Sequence, residues 1–194
     1  YIKRAEIIRE MGTNRSQFRR SQVDEYTWLD LGSSYVLSDI LAAFLYAQLE
    51  ARERIQAKRL RIWKYYVEQL RSWAQDCDVK LPFVPSYCKQ SYHLFYLLMA
   101  SLQERQALME RLESRGVLTA FHYLPLHLSR MGQRFGGKPG DCPVTEQVSD
   151  CLVRLPFYND LSEQDQVFVV AALADNPGLK AIAEKGASVV SISM

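Results

Sequence analysis

The spacing of apolar residues predicts two helices in the first part of the chain. Residues 2–11 place apolar side chains between charged ones, and Gly12 ends this first predicted helix. Ser38 is a favourable N-cap residue, and helical spacing then continues to about Trp73 without glycine or proline. Residues 13–34 lack periodicity, so we expect a long loop that is functional or ordered against a partner.

From Pro82 onward, the pattern changes to short, alternating elements. Glycine, proline and capping residues separate predicted strands at 92–100, 117–123 and 152–157 from predicted helices at 103–115, 143–151 and 162–175. This order predicts an α/β arrangement in which helices cover a small sheet of about three strands. Residues 177–194 show no clear pattern and are interpreted as an appended tail.

Composition narrows the class of protein. With 194 residues and 48% hydrophobic content, the chain can bury a core, which excludes disorder for most of its length. Lys and Arg number 24 against 22 Asp and Glu, so nucleic acid and anionic membranes are not expected partners. The longest apolar run, residues 167–174, is too short to span a bilayer. We therefore expect a soluble cytoplasmic protein.

Cysteines and basic residues both receive ordinary structural interpretations. The four cysteines lack the close spacing of a zinc site and are predicted to be reduced and mostly buried, with no metal bound. Basic residues recur between positions 52 and 71, where a stripe for nucleic acid or phosphate is one interpretation. A solvated helix face is favoured, because the aromatic residues lie on the opposite side of the helix.

Two short motifs carry candidate chemistry. His122 and His127 flank a turn forced by Pro125 at the end of a predicted strand, where they could orient hydroxyl or phosphate groups of a substrate. Ordinary surface or core histidines remain the alternative, and a metal site is not favoured because His93 is remote in sequence. The Gly-Ser-Ser run that ends at Ser34 could cradle an anion, or could simply precede a capped helix.

Several motifs along the chain resemble those of one enzyme family, in the same order. They are Gly-Thr-Asn-Arg-Ser at 12–16, Tyr-Thr-Trp at 26–28, Gly-Ser-Ser-Tyr at 32–35, Ser-Asp at 38–39, Ala-Ala at 42–43, Gln-Leu-Glu at 48–50, His-Leu-Phe-Tyr at 93–96, the turn at 121–127, and Cys-Pro-Val-Thr-Glu at 142–146 leading to Leu-Pro-Phe-Tyr at 155–158. Over about residues 1–176, the chain resembles the C-terminal half of the DegT/DnrJ/EryC1/StrS sugar aminotransferases, which depend on pyridoxal 5'-phosphate.

This resemblance implies a fold and a domain organisation. The family has the aspartate aminotransferase-like α/β fold of type I, with a large cofactor domain and a small C-terminal domain. Residues 1–50 would then end the large domain, residues 51–76 would form a linking helix, and residues 77–176 would form the small domain. Residues 177–194 would remain as a tail.

The resemblance also implies site residues. Many members carry Gly-x-Asn-x-Arg before the second helix, and the asparagine reaches across a homodimer interface to the neighbouring cofactor phosphate. Here Ser34 holds that position and Val36 replaces the arginine. A hydroxyl can still donate to phosphate. In the family, the turn that matches at His122, Tyr123 and His127 faces the sugar nucleotide.

The activity that the resemblance implies is transfer of an amino group from glutamate to a 4-keto-6-deoxy sugar nucleotide. The family's Schiff-base lysine and the aspartate that pairs with the cofactor ring lie upstream of the residues matched here. No lysine of this chain has the required Thr-Lys-Asn setting, so we assign no catalytic residue and expect these residues to be inactive alone. The alternative is a non-catalytic α/β interaction module that uses its basic helix and dimer surface.

Overall fold

The computed structural model describes residues 1–174, and the chain divides into two compact units. The first unit spans Tyr1–Arg52, and the second begins at Glu53. The predicted tail at 177–194 lies outside the described residues.

The first unit contains three helices: α1 (Ile2–Arg9), α2 (Arg15–Arg19) and α3 (Asp39–Glu50). The helix predicted to reach residue 11 ends at Arg9, because the amides of Glu10 and Gly12 both turn back to the carbonyl of Ile7. The predicted loop contains α2, which is too short to produce a periodic pattern. The predicted cap is confirmed, since the Ser38 hydroxyl accepts a hydrogen bond from the Leu41 amide at 3.3 Å.

The helices of the second unit are α4 (Arg52–Asp76), which begins at the unit boundary, α5 (Leu102–Ser114), α6 (Arg130–Arg134), α7 (Pro143–Cys151) and α8 (Glu163–Ala174). A 3-10 helix at Leu126–Leu128 precedes α6, and neither of these short helices was predicted. The continuous helical signal from Ser38 to Trp73 is interrupted at Ala51, whose amide closes a turn on the carbonyls of Ala47 and Leu49. α7 begins at Pro143 as predicted, and Ser162 and Asp165 exchange the hydrogen bonds of a capping box before α8.

A sheet of three antiparallel strands confirms the predicted α/β class. The strands are β1 (Tyr96–Leu98), β2 (Ala120–Phe121) and β3 (Leu152–Arg154), in the order β1-β3-β2. All three are shorter than predicted. β3 follows α7 directly and ends close to Pro156, which has no backbone amide to donate.

The core of the second unit lies against one face of this sheet. Leu97 and Val153 are paired across β1 and β3, and both are fully buried. Helices α4, α5 and α8 cover them with buried apolar side chains, which include Tyr66, Leu70, Leu112, Val169 and Leu173. The Tyr66 hydroxyl donates to the Pro156 carbonyl at 3.0 Å, which ties α4 to the segment that follows β3.

The first unit has no comparable core. Every buried apolar side chain of residues 1–174 belongs to the second unit, and α3 buries none of its residues. Ile40, Phe44 and Tyr46 of α3 are all exposed. The buried residues of the first unit are Gly12 and the polar Thr13 and Asn14.

The four cysteines and the basic residues of α4 are all at least partly exposed. The prediction that the cysteines are mostly buried is wrong: Cys77 and Cys142 are exposed next to helix ends, Cys88 is exposed in the loop between α4 and β1, and Cys151 is half-buried. The basic residues of α4 are exposed or half-buried, which fits a solvated face. Within residues 1–174, no group of three His, Cys, Asp or Glu side chains is placed to hold a metal, and no helix has the length and apolar character needed to cross a membrane.

Candidate functional site

The turn at residues 122–128 leaves the sheet directly after β2. Tyr123 adopts a left-handed backbone conformation with a φ of +56°, which is rare for a residue with a bulky side chain. The Ser149 hydroxyl, on α7, donates to the Tyr123 carbonyl at 2.8 Å. Pro125 is buried, and the 3-10 helix follows it. This strained turn is therefore held against α7 by a specific contact.

His127 is occupied by a contact within the protein. Its Nε2 lies 2.8 Å from Oε1 of Glu146, and the two side chains are only 16% and 23% exposed. The Glu146 carboxylate also accepts hydrogen bonds from the amides of Gly140 and Cys142. These contacts, above all that with His127, lower the pKa of Glu146 below its usual 4.5. The pair thus anchors the turn to the loop that precedes α7.

His122 and Tyr123 instead line an open groove of about 530 Å³. Its other walls include the apolar side chains of Leu126, Val144 and Val148, all of which are exposed. Apolar walls with a few polar groups at one end are typical of sites for small organic ligands. Of the residues predicted for the sugar nucleotide, the structure brings His122 and Tyr123 together in this groove and leaves His127 outside its lining.

Arg154 was missed by the sequence analysis. Its guanidinium carbon lies 5.3 Å from the centroid of the Tyr123 ring, and the His122 ring lies 5.3 Å from the same ring. Burial lowers the pKa of His122, and the charges of Arg154 and His93 lower it further. The one feature of the sequence that could have indicated Arg154 is its position as a charged residue between the apolar Val153 and Leu155.

Ser34 lies in the first unit, on an extended segment beside the end of α1. The amide of Met11 donates to the Ser33 carbonyl, and the amide of Tyr35 donates to the Arg9 carbonyl, so that Ser34 forms an isolated bridge with Glu10. The Ser34 side chain is exposed. The backbone around it is therefore held in place, while the hydroxyl can be reached by a ligand.

Two glycines allow this segment to approach α1 closely. Gly12 has a φ of +77°, and a side chain at this position would collide with the carbonyl oxygen of Asp30. A side chain at Gly32 would collide with the backbone of Gly12. Glycine is needed at both positions because two backbone segments are in direct contact here.

A buried asparagine, also missed by the sequence analysis, organises the rest of this loop. Asn14 is 6% exposed. Its Nδ2 donates to the Glu25 carbonyl at 2.8 Å, and its Oδ1 accepts from the Thr27 amide at 2.8 Å. Glu10 accepts hydrogen bonds from both the amide and the hydroxyl of Ser16, and these contacts lower its pKa. The first unit is thus ordered by polar contacts.

Comparison with known proteins gives consistent matches. Residues 1–174 match the family model of the DegT/DnrJ/EryC1/StrS aminotransferases. The chain is 28% identical over 179 residues to the uncharacterized protein MJ1066 of Methanocaldococcus jannaschii, a match that covers 88% of this chain and 45% of that protein. It is 27% identical over 146 residues to the pleiotropic regulatory protein of Geobacillus stearothermophilus, covering 75% of this chain and 38% of that protein.

A solved structure agrees with these matches. The aminotransferase TlmJ from Streptoalloteichus hindustanus superimposes with a TM-score of 0.74 at 26% identity, over 92% of this chain and 45% of that one. The chain therefore spans less than half the length of each of these proteins.

Proposed function

Because the chain belongs to the DegT/DnrJ/EryC1/StrS aminotransferase family, we propose that it is the C-terminal part of a pyridoxal 5'-phosphate-dependent sugar-nucleotide aminotransferase. The family and the fold class predicted from the sequence are confirmed by the match over residues 1–174 and by the similarity to TlmJ. The substrate, the amino donor, the dimer and a cytoplasmic location belong to the proposal.

The proposed reaction converts a dTDP-4-keto-6-deoxyhexose to its 4-amino sugar. Glutamate gives its amino group to the sugar and leaves as 2-oxoglutarate, so the keto carbon is reduced while the amino acid is oxidised. The motifs at 12–16 and 32–35 resemble most the family branch that makes dTDP-4-amino-4,6-dideoxygalactose for enterobacterial common antigen. They support that surface polysaccharide as the destination of the product.

The observation that carries the proposal is the groove beside the turn at 122–128. Its apolar walls suit the ring faces of a nucleotide sugar, and the imidazole of His122 and the phenol of Tyr123 are placed to hydrogen-bond its polar groups. Contacts of this kind bind and orient the substrate. We assign them no step of bond making.

The residues present fit one part of the cofactor. The Ser34 hydroxyl is exposed on a fixed segment and can donate to the phosphate of a cofactor held by a second copy, which makes the homodimer part of the proposal. When bound, the cofactor supplies the electron sink for the amino transfer. No lysine of the sequence stands in the Thr-Lys-Asn setting of the family's Schiff-base lysine. We therefore propose that the 194 residues alone transfer no amino group.

The test begins with the nucleotide sequence that precedes the codon for Tyr1. We expect it to encode the Thr-Lys-Asn segment in some frame. The joined protein should transfer ¹⁵N from labelled glutamate to the dTDP-4-keto sugar, detected as a mass shift of the product. His122→Gln should raise the KM for the sugar nucleotide, whereas Tyr87→Phe, an exposed position outside the groove, should not. An upstream region without the lysine segment, or a joined protein without transfer, would contradict the proposal.

The cofactor contact has its own test in the joined protein. Ser34→Ala should weaken retention of the cofactor by about 1–2 kcal/mol, the usual range for one lost charge-assisted hydrogen bond. Cofactor absorbance after dialysis against cofactor-free buffer measures this retention. Unchanged retention would remove Ser34 from the site and leave it as the start of a capped helix.

A second candidate is a non-catalytic interaction module. The exposed apolar side chains of α3 favour it, since such surfaces mark contacts with other proteins. One relative also bears the name of a regulatory protein. The upstream sequence separates the two candidates, because a module of this kind needs no lysine segment.

A further inference from the structure

We propose that Arg154, together with the imidazole of His122, binds a phosphate group of the nucleotide that enters the groove. This inference deepens the proposed function and rests on it for the identity of the ligand as a nucleoside diphosphate. Arg154 would then be a binding residue of this protein that its motifs do not indicate.

The strand register places Arg154 on the face of the sheet opposite the core. Arg154 is paired with Tyr96 of β1 on one side and with Ala120 of β2 on the other. Its neighbours Val153 and Leu155 are buried, and alternation along a strand directs Arg154 to the other face. Leu152, which shares that face with Arg154, lines the groove.

The guanidinium is held beside the groove by an aromatic contact with Tyr123, which lines the groove. It lies over the Tyr123 ring at 5.3 Å, within the range of a cation–π interaction. The Tyr123 backbone is fixed in turn by the hydrogen bond from Ser149, and its ring touches that of His122. Arg154 and His122 therefore both contact one aromatic ring, and the charge of Arg154 acts on the His122 imidazole.

The Arg154 guanidinium carries a positive charge and forms no ion pair with a carboxylate of residues 1–174. Within residues 1–174, no carboxylate or carbonyl accepts a hydrogen bond from Arg154, and its buried Nε has no partner. Arg105 is also stacked on an aromatic ring, at 5.8 Å from that of Phe121, and its Nε is likewise buried without a partner, but its Nη1 donates to the Ser149 carbonyl at 3.0 Å. A half-buried guanidinium without an acceptor is unfavourable, and an anionic ligand would satisfy it.

The arrangement suits a phosphate better than the carboxylate of an amino acid. Guanidinium and imidazole groups donate from several directions, which matches the tetrahedral oxygens of a phosphate. The adjoining space of about 530 Å³ has apolar walls, which an amino acid would leave largely unfilled and a nucleoside would cover. Arg154 adjoins Tyr123, a residue of the groove lining, so a nucleoside in the groove can place its phosphate beside the guanidinium.

The experiment uses the full chain and four probes: thymidine diphosphate, pyrophosphate, thymidine and glutamate. We expect calorimetry to show binding of the two phosphates, with thymidine and glutamate much weaker. Arg154→Gln should weaken thymidine diphosphate about tenfold to a hundredfold and leave thymidine unchanged. The affinity of Arg154→Lys for thymidine diphosphate should lie between that of the wild type and that of Arg154→Gln. The control Arg71→Gln, at an exposed position of α4 outside the groove, should bind like the wild type.

A second readout detects the anion directly. Bound pyrophosphate next to His122 should raise the pKa of its imidazole, which the ring Cε1–H resonance reports in an NMR titration. If Arg154 had only a structural role, its replacement would leave the pyrophosphate-induced rise in the His122 pKa unchanged. Arg154→Lys keeps the charge, so it should retain part of the shift even if Arg154→Gln folds poorly.

Several results would overturn the inference. For the wild-type chain, these results are no binding of thymidine diphosphate or pyrophosphate, or binding of glutamate as strong as that of pyrophosphate. For Arg154→Gln, they are an unchanged affinity for thymidine diphosphate, or equal losses of affinity for thymidine and thymidine diphosphate. The proposed function fails separately. A chain that binds phosphate through Arg154 but gives a joined protein without amino transfer would contradict only the function. A joined enzyme that transfers normally with an unchanged KM in Arg154→Gln would contradict only the phosphate site.

Discussion

The hydroxyl of Tyr66 offers a sharp test of how the second unit is held together. Tyr66 is fully buried on α4, and its hydroxyl donates to the Pro156 carbonyl at 3.0 Å. Tyr66→Phe removes this one hydrogen bond. The ring itself is kept, including its contact with Phe95 at 5.1 Å between centroids. The substitution therefore isolates a single polar contact in an apolar surrounding.

The expected loss of unfolding free energy is about 1–2 kcal/mol. A buried hydrogen bond contributes about 1 kcal/mol net, and the Pro156 carbonyl left without its donor adds part of its desolvation penalty. Tyr66→Ala removes the ring as well and should cost about 3–5 kcal/mol. Tyr65→Phe is the matched control on the same helix. The Tyr65 hydroxyl has no hydrogen bond within residues 1–174, so its loss should cost less than about 0.5 kcal/mol.

Urea unfolding followed by tryptophan fluorescence measures these differences. Trp63 and Trp73 lie on α4, whereas Trp28 is an exposed residue of the first unit. A Trp28→Phe background therefore restricts the signal to the second unit. Equal effects of Tyr66→Phe and Tyr65→Phe would refute the reasoning, because the buried hydrogen bond would then contribute nothing.

The Tyr66 hydroxyl also makes the stability difference between the wild type and Tyr66→Phe depend on pH. Burial raises the pKa of Tyr66 well above its usual 10.0, with smaller contributions from Tyr158 and Tyr65. The unfolded chain releases this proton near pH 10 while the folded chain retains it. The contribution of the Tyr66 hydroxyl to the free energy of unfolding is thus complete below about pH 10 and is lost as the pH rises further. The stability gap between wild type and Tyr66→Phe should therefore narrow above pH 10.

Three further predictions concern the loop, the turn and the first unit. Asn14→Ala removes two hydrogen bonds and should speed hydrogen exchange of the Thr27 amide about tenfold or more. Replacement of the exposed Gln22 by alanine is the control. An unchanged exchange rate in Asn14→Ala would show that the loop does not depend on Asn14. Because the pKa of Glu146 is lowered in the folded chain, its carboxylate stabilises the fold above about pH 4.5, and this contribution is lost as the pH falls through the pKa of the folded state. Protection of the Gly140 amide from hydrogen exchange should therefore drop at that acidic pH in the wild type and not in Glu146→Gln. Limited proteolysis should cut first before about Arg52, since the first unit buries no apolar side chain, and equal protection of both units would contradict this.

The general arrangement of the second unit could be predicted because its signals are local. Pro143 at the start of α7, the capping box before α8 and the glycine after α5 each act within a few residues of the chain. The length of the strands could not be predicted in this way. It depends on the pairing of β1 and β2 with β3, and that pairing joins segments far apart in sequence.

The candidate site was predicted only in part, for the same reason. His122 and Tyr123 form a recognisable motif, and the structure places both in the groove. His127 belongs to the same motif, yet Glu146 holds its imidazole through a contact that no spacing rule indicates. Arg154 reaches Tyr123 only after β2 and β3 have paired. The roles of Ser34, His122, Tyr123 and His127 toward ligands stay predictions.

The strand order also has a consequence for the sequence of events during synthesis. β3 is the last strand to leave the ribosome, but it is the centre of the sheet, and both earlier strands pair with it. Until Leu152–Arg154 has been made, β1 and β2 have no strand of this sheet to pair with, and the apolar side chains of Phe95 and Leu97 stay uncovered on that side. Such exposed intermediates are targets for chaperones and proteases. A nascent chain that stops before β3 should therefore be degraded rather than accumulate.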